Sequence, residues 1–360
     1  MGVQRMSKRT WTALAAVLVV LAAGSFAAYR NWSGRAASAR EQMLAMIPAD
    51  ANAVFFADFA TLRSTPFVAQ LYAWAPKPQA DPDYAQFIKD TGFDYERDLD
   101  RIAIATEKRG PDSAVFAIAD GKFDRQKISA YALKAGTLSR TNGHEIYSVP
   151  VSGSATRISF AFLRGDRIAL ASGADSSALF QSGKETRDAA EWRMRFERLA
   201  GSPVFAVIRQ DAAAGAALAA QAPGGFRSPQ LSTLLDQLQW ITIAGKPESD
   251  RLSVIAEGEC AAESTTRQLT DLLNGVMILA EAGLNDSKTR QQLDPAAREA
   301  YLEFLKGAEV SKIDRGDTRS VRLVLEITPK FLDAARAAPL TPSPAGPLPG
   351  KATETRKGHT

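Results

Sequence analysis

Residues Trp11 to Tyr29 form one uninterrupted apolar run of 19 residues, with Arg5, Lys8 and Arg9 before it and no acidic residue nearby. At about 1.5 Å rise per residue the run makes roughly 28 Å of helix, close to a bilayer's hydrocarbon thickness and longer than the core of a cleavable signal. The pattern predicts a signal anchor, a transmembrane helix over 11–29 behind a cytoplasmic basic segment over 1–10. Ser25 and Ala27 also place small residues where a cut before Ala28 would need them, so removal of the segment stays open. Residues 30–46 read as a juxtamembrane helix or linker, with its helical part at Ala36 to Met46.

Beyond Pro48-Ala49-Asp50-Ala51 the pattern alternates between periods of two and of three to four. Val54 to Phe59 reads as a strand, and Pro66 to Trp74 as a helix opened by proline in its first turn. Arg101 to Thr106 and Ala114 to Ala119 are β-rich runs separated by Lys108-Arg109-Gly110-Pro111-Asp112, which predicts an antiparallel hairpin. A helix follows from Asp124 to Leu133, with Ile128, Tyr131 and Ala132 on one face. Glu145 to Val149, Ile158 to Leu163 and Arg167 to Ser172 complete the strands of the first half.

The second half repeats this order. Ile102-Ala103-Ile104-Ala105 aligns with Ile241-Thr242-Ile243-Ala244, and Ile118-Ala119-Asp120-Gly121 with Ile255-Ala256-Glu257-Gly258. Val204 to Ile208 matches the opening strand, and Val321 to Ile327 is matched with Ile158 to Leu163. The helix predicted for Ala261 to Leu284 carries Leu269, Leu272, Leu273, Val276, Met277, Ala280 and Leu284 at steps of three and four, the stripe of a helix packed on something. The expected fold class is therefore α+β, as two tandem related units of antiparallel sheet, 47–184 and 185–337, with helices packed on one face. From Pro339 the chain is rich in proline and poor in large apolar residues, so 338–360 reads as a disordered tail.

Charge removes one class of function. The chain holds 44 Lys plus Arg and 40 Asp plus Glu, but Arg5, Lys8, Arg9 and Arg30 stand alone among its first 30 residues, leaving residues 31–360 balanced at 40 to 40. A nucleic-acid binder needs a clustered basic face, and none is present in the sequence. With one cysteine, Cys260, no intramolecular disulfide forms, so an exported body must rest on burial. The 45% hydrophobic content suffices for that. Cys260 reads as a structural thiol, since His144 and His359 are the only histidines and a nucleophile needs a base.

The candidates for chemistry each have a plainer explanation. Arg164-Gly165-Asp166 and Arg315-Gly316-Asp317 spell an adhesion tripeptide, yet each lies between predicted strands, where glycine serves a hairpin turn. Asp94, Glu96, Asp98 and Asp100 alternate as in a calcium loop but lack its glycine and its bidentate glutamate, so they read as a solvated approach to a strand. Asp58, Asp120 and Glu257 end predicted strands. A carboxylate pair at Asp58 and Asp120 would do acid and base work only if the two converge in one cleft; otherwise each begins a turn or caps a helix. No nucleophile elbow, zinc-binding helix or phosphate loop occurs in the sequence. No catalytic, cofactor-binding or metal residue is assigned.

Pro48-Ala49-Asp50-Ala51, then Val54-Phe55-Phe56-Ala57-Asp58-Phe59 and Ser64-Thr65-Pro66-Phe67, resembles the opening of bacterial signal-anchored envelope proteins grouped as a domain of unknown function. Asp94 to Ile104 and Gly121 to Tyr131 are similar to the same kind of protein, so the resemblance covers residues 47–337. It implies an exported, anchored α+β body and transfers no active site. The function expected is that of a non-enzymatic module at the inner membrane, its body periplasmic, binding an envelope protein partner or acting as a scaffold. Such a body should present an exposed edge strand or apolar patch. The alternative is a carrier of lipid or another apolar ligand beneath the long helix.

Overall fold

The computed structural model describes residues 39–74, 82–109, 112–141, 143–150, 156–172, 187–210, 233, 235–316 and 318–337. The anchor run and the proline-rich tail lie outside them. Among the described residues no helix is long and apolar enough to cross a membrane. The chain divides into two compact units, Met1–Arg209 with Trp240–Ala256, and Gln210–Gln239 with Glu257–Thr360.

The first unit is built on an antiparallel sheet. Its strands are β1 (Ala53–Asp58), β2 (Leu99–Arg109), β3 (Asp112–Gly121), β4 (Thr137–Thr141), β5 (His144–Pro150), β6 (Arg157–Arg164), β7 (Arg167–Ser172), β8 (Val204–Arg209) and β9 (Leu238–Pro247). They run in the order β9-β8-β1-β2-β3-β7-β6-β5-β4, with β10 (Leu252–Cys260) following outside β9. Residues directly opposite across these ladders share a face, so the printed register sorts the side chains. One row reads Ala244, Phe205, Phe56, Ala103, Ile118, Ala169 and Ala161, and all seven are buried. Three bulky residues among four alanines leave hollows into which helices settle. Met43, Leu44 and Ile47 from α1 (39–44) and the turn after it fill them together with Trp192 and Phe196 of α7 (Arg187–Arg198).

On the opposite face, Tyr147, Phe160, Phe162 and Ile168 pack under Ile128 and Ala132 of α6 (Arg125–Ala135). Helices of this unit thus pack on both faces, α6 covering only the β5 to β7 part of the second, which corrects the expectation of helices on one face. The even and odd positions of β1 to β3 are both apolar, so the sequence marks neither face as the one left to water. Between α1 and α6 the chain forms α2 (Phe59–Arg63), α3 (Pro66–Trp74), α4 (Pro82–Thr91) and α5 (Tyr95–Asp98).

In the second unit, α8 (Glu263–Asn285) is followed by α9 (Ser287–Gln292), α10 (Pro295–Lys306), the hairpin β11 (Glu309–Asp314) and β12 (Arg319–Ile327), and α11 (Pro329–Ala337). Asp294 caps α10 by accepting from the Ala297 N–H at 3.0 Å, and proline stands in its first turn. Phe331 of α11 stacks on Phe304 at 4.3 Å and meets the edge of Tyr301 at 5.7 Å, closing a small core. The inner stripe of α8 is buried only at Thr265, Thr266, Leu269 and Thr270. Leu272 to Leu284 are half-buried at best, with Ile278 and Leu279 66% and 73% exposed.

Candidate functional site

The carboxylates singled out from sequence meet in one row. Asp58 of β1 lies opposite Arg101 of β2, Arg101 opposite Asp120 of β3, and Asp120 opposite Arg167 of β7. All four share a sheet face and alternate in charge. Asp58 and Asp120 are two strand spacings apart, on the order of 9–10 Å, with an arginine between them. They are therefore neither in one cleft nor on opposite faces.

Each carboxylate is bound. Asp58 accepts from Arg101 Nε at 3.0 Å and also caps α2 through the Thr61 N–H at 2.9 Å, as a strand-ending aspartate is expected to do. Asp120 was expected to begin a turn or cap a helix; instead it is buried and holds Arg167 by two bonds, Nε at 2.5 Å and Nη2 at 2.7 Å. The helix after it is capped by Asp124, through the Lys127 N–H at 3.1 Å. Burial decides the difference, because a carboxylate beneath α1 needs a cation rather than an amide. Arg167 also donates to the Ala39 carbonyl at 3.2 Å, tying the row to the start of α1.

Arg40, one residue on, completes this corner. Its guanidinium donates to the carbonyls of Phe196 at 3.3 Å, Leu199 at 2.9 Å and Ala200, where α7 ends, and lies over the rings of Phe56 and Phe205 at 5.3 and 5.0 Å. An arginine on the last carbonyls of a helix satisfies groups that have no intrahelical partner. Burial lowers the Arg40 pKa against the opposing pull of Asp58 and Glu41. Within 30–46, read from sequence as a juxtamembrane helix or linker, Met43 and Leu44 lie in the core, as does Ile47 just after it.

Glu257 belongs to the second unit and is also no cap. Burial opposes its charge, but bonds from Arg315, at 2.5 and 3.0 Å, and the neighbouring Ser320 and Arg322 outweigh burial, so its carboxyl stays below the ordinary range. Of the two Arg-Gly-Asp turns, Gly316 takes φ +84° as a hairpin glycine should; Gly165 is not among the described glycines with positive φ, so the conformational reason fails there. Asp317 lies outside the described residues, as does His359. In the acidic series, Asp94 caps α5 through the Glu96 N–H at 3.0 Å, whereas Asp98 is buried rather than solvated. Arg97 holds it at 2.6 Å and drives its pKa to about 2. Cys260 is buried, and burial pushes its thiol up.

A feature that the linear pattern does not reveal lies on the other face of the first unit. Ile104, Phe55, Ala206 and Ile243 stand opposite one another across β2, β1, β8 and β9. The flanking rows are Ile102, the buried Ala57 and Val204 on one side and Thr106, Ala53 and Ile208 on the other. Phe55 and Ile243 are 40% and 37% exposed, and Val115 on β3 is 37% exposed. The sequence holds a signal for this, odd and even positions of Val54 to Ala57 both apolar, but burial of the second face by a helix would leave the same signal.

No protein-family model matches the chain, and no curated protein matches it in sequence. Among solved structures, crystal form IV of TP0453 aligns with 81% of this chain and 95% of its own at 11% identity and a TM-score of 0.41. Crystal form III of the same protein gives 82%, 97%, 11% and 0.38.

Proposed function

We propose that this chain is a non-enzymatic, membrane-anchored module of a bacterial envelope that binds a protein partner through the open sheet face of its first unit. The observation that carries the reading is the row Ile104, Phe55, Ala206 and Ile243 with its half-exposed Phe55 and Ile243. Antiparallel sheets that face water are normally polar on that side, and contiguous apolar exposure marks an association surface. The carboxylates offer no competing chemistry, because Asp58, Asp120 and Glu257 are each held by arginine. Anchoring rests on the apolar run Trp11 to Tyr29 and its basic flank.

A duplicated origin belongs to the same proposal. Asp120 and Glu257 end the matching runs, and each is gripped by an arginine of an Arg-Gly-Asp turn region, Arg167 just after the first and Arg315 opening the second. The turn precedes β12 as it precedes β7, so β12 takes the part of β7 rather than that of Ile158 to Leu163.

The alternative occupant of the face is a lipid or another apolar ligand, favoured by the lack of a charged side chain in those three rows between β1, β2 and β8. A photoreactive amino acid in place of Phe55 in the full chain, irradiated in native membranes, separates the readings. A stoichiometric protein adduct is the expected result. A lipid adduct transfers the function to the carrier, and the absence of either defeats both.

A further inference from the structure

The first unit ends on β4, and all five of its residues are exposed. β4 hydrogen-bonds to β5 along one edge, with Thr137 opposite Ser148, Leu138 opposite Tyr147, Ser139 opposite Ile146 and Arg140 opposite Glu145. Among the described residues the other edge pairs with no strand, and natural sheets protect such an edge with shortness, charge, proline or a bulge. Thr137-Leu138-Ser139-Arg140-Thr141 has no proline and no break in register with β5; its protection is its length of five residues and Arg140, whose charge is engaged by Glu145.

We infer that the β4 edge pairs with β4 of a second copy of this chain, antiparallel and centred on Ser139. The sequence is complementary to itself in that register. Thr137 falls opposite Thr141 of the mate and Ser139 opposite Ser139, two hydroxyl-bearing rows of the kind that hold cross-strand hydrogen bonds. Leu138, 42% exposed in the single chain, falls opposite Arg140 of the mate. The arginine's methylene stem then covers the leucine while its head stays on its own Glu145, which it already reaches at 3.1 Å. A shift of the centre to Arg140 would set two guanidiniums opposite each other, a repulsion that selects against that register. Like-charge repulsion thus excludes the Arg140-centred register.

Five residues make a small contact beside the roughly 800 Å² per partner of an independent interface. The pairing therefore rests on the anchored reading for its local concentration, which confinement to a membrane supplies. The two failures are separable, since fractionation of the same sample shows whether the chain is in the membrane.

The test uses the full chain in native membranes. Ser139→Cys treated with a short bifunctional maleimide should give a dimer band, because the two positions face each other; Cys260 is buried and gives none in the unsubstituted chain. Thr137→Cys should not, since its mate lies about four residue steps, or ~13 Å, along the strand. Read by co-precipitation of two differently tagged copies, Ser139→Asp and Ser139→Lys, both at an exposed position, should each abolish the dimer alone and restore it when co-expressed. Membrane-bound protein that gives no Ser139→Cys dimer, equal crosslinking at Thr137→Cys, or no rescue by the charge pair overturns the inference. So does crosslinking of Ser139→Cys only to a different protein.

Discussion

Truncating Asp120 to alanine leaves Arg167 buried and without its carboxylate, and the cost is open to estimate from the geometry. The Arg167 side chain is 4% exposed and that of Asp120 8%. Two bonds at 2.5 and 2.7 Å join them, and the guanidinium's one further hydrogen bond among the described residues is to the Ala39 carbonyl at 3.2 Å. Removing one partner of a buried pair costs about 3–5 kcal/mol, because the surviving charge has neither water nor a counterion. Replacing both partners by apolar residues of similar size is often neutral. Asp120→Ala should therefore destabilise the full chain by about 3–5 kcal/mol, and Asp120→Leu combined with Arg167→Met by much less. Urea unfolding followed by circular dichroism in mild detergent measures both, and the midpoint should fall with the slope unchanged. A loss under about 1 kcal/mol for the single change, the value of an exposed pair, would refute the claim that burial makes this contact strong. So would a double replacement as damaging as the single one.

Two further outcomes follow from the same corner and from the acidic series. Arg40→Ala removes three carbonyl contacts at the end of α7 and the cover over Phe56 and Phe205, and should destabilise by about 1–3 kcal/mol; hydrogen exchange should rise first in residues 196–200, and uniform protection across that stretch would exclude the capping role. Asp98, with its folded pKa lowered by the Arg97 bond to about 2 from its ordinary value of 3.8, contributes stability that is fully present above the unfolded value and is lost as pH falls from 3.8 toward 2. The stability difference between the parent and Asp98→Asn, measured by denaturant titration, should therefore shrink across that window; a difference that stays constant from pH 5 to pH 2 would refute the assignment.

Periodicity carried the strands and the long helix because their apolar residues recur at fixed steps. β2, β3, β6 and β7 appear where Arg101 to Thr106, Ala114 to Ala119, Ile158 to Leu163 and Arg167 to Ser172 suggest strands; β7 has those bounds, and the other three extend by a residue or more where the ladder continues beyond the apolar run. Elements with little apolar pattern escaped. β4 is exposed throughout and carries one apolar residue, Leu138, so only its pairing with β5 makes it a strand. α7 is mostly charged, and Trp192 and Phe196, spaced four apart, are its contribution to the core.

What the sequence determined by itself is composition-level and local: an apolar run long enough to span a bilayer, balanced charge beyond it, an α+β alternation, and turns where glycine and aspartate meet. What only tertiary structure decided is how side chains far apart in the chain are brought opposite one another. Asp58, Arg101, Asp120 and Arg167 span 109 positions and become one row because antiparallel register fixes which residues share a rung. The exposed row at Phe55 and Ile243 has the same origin. An apolar residue states only that its burial is favourable; whether a helix, a partner or water covers it depends on which elements the chain has left to pack there.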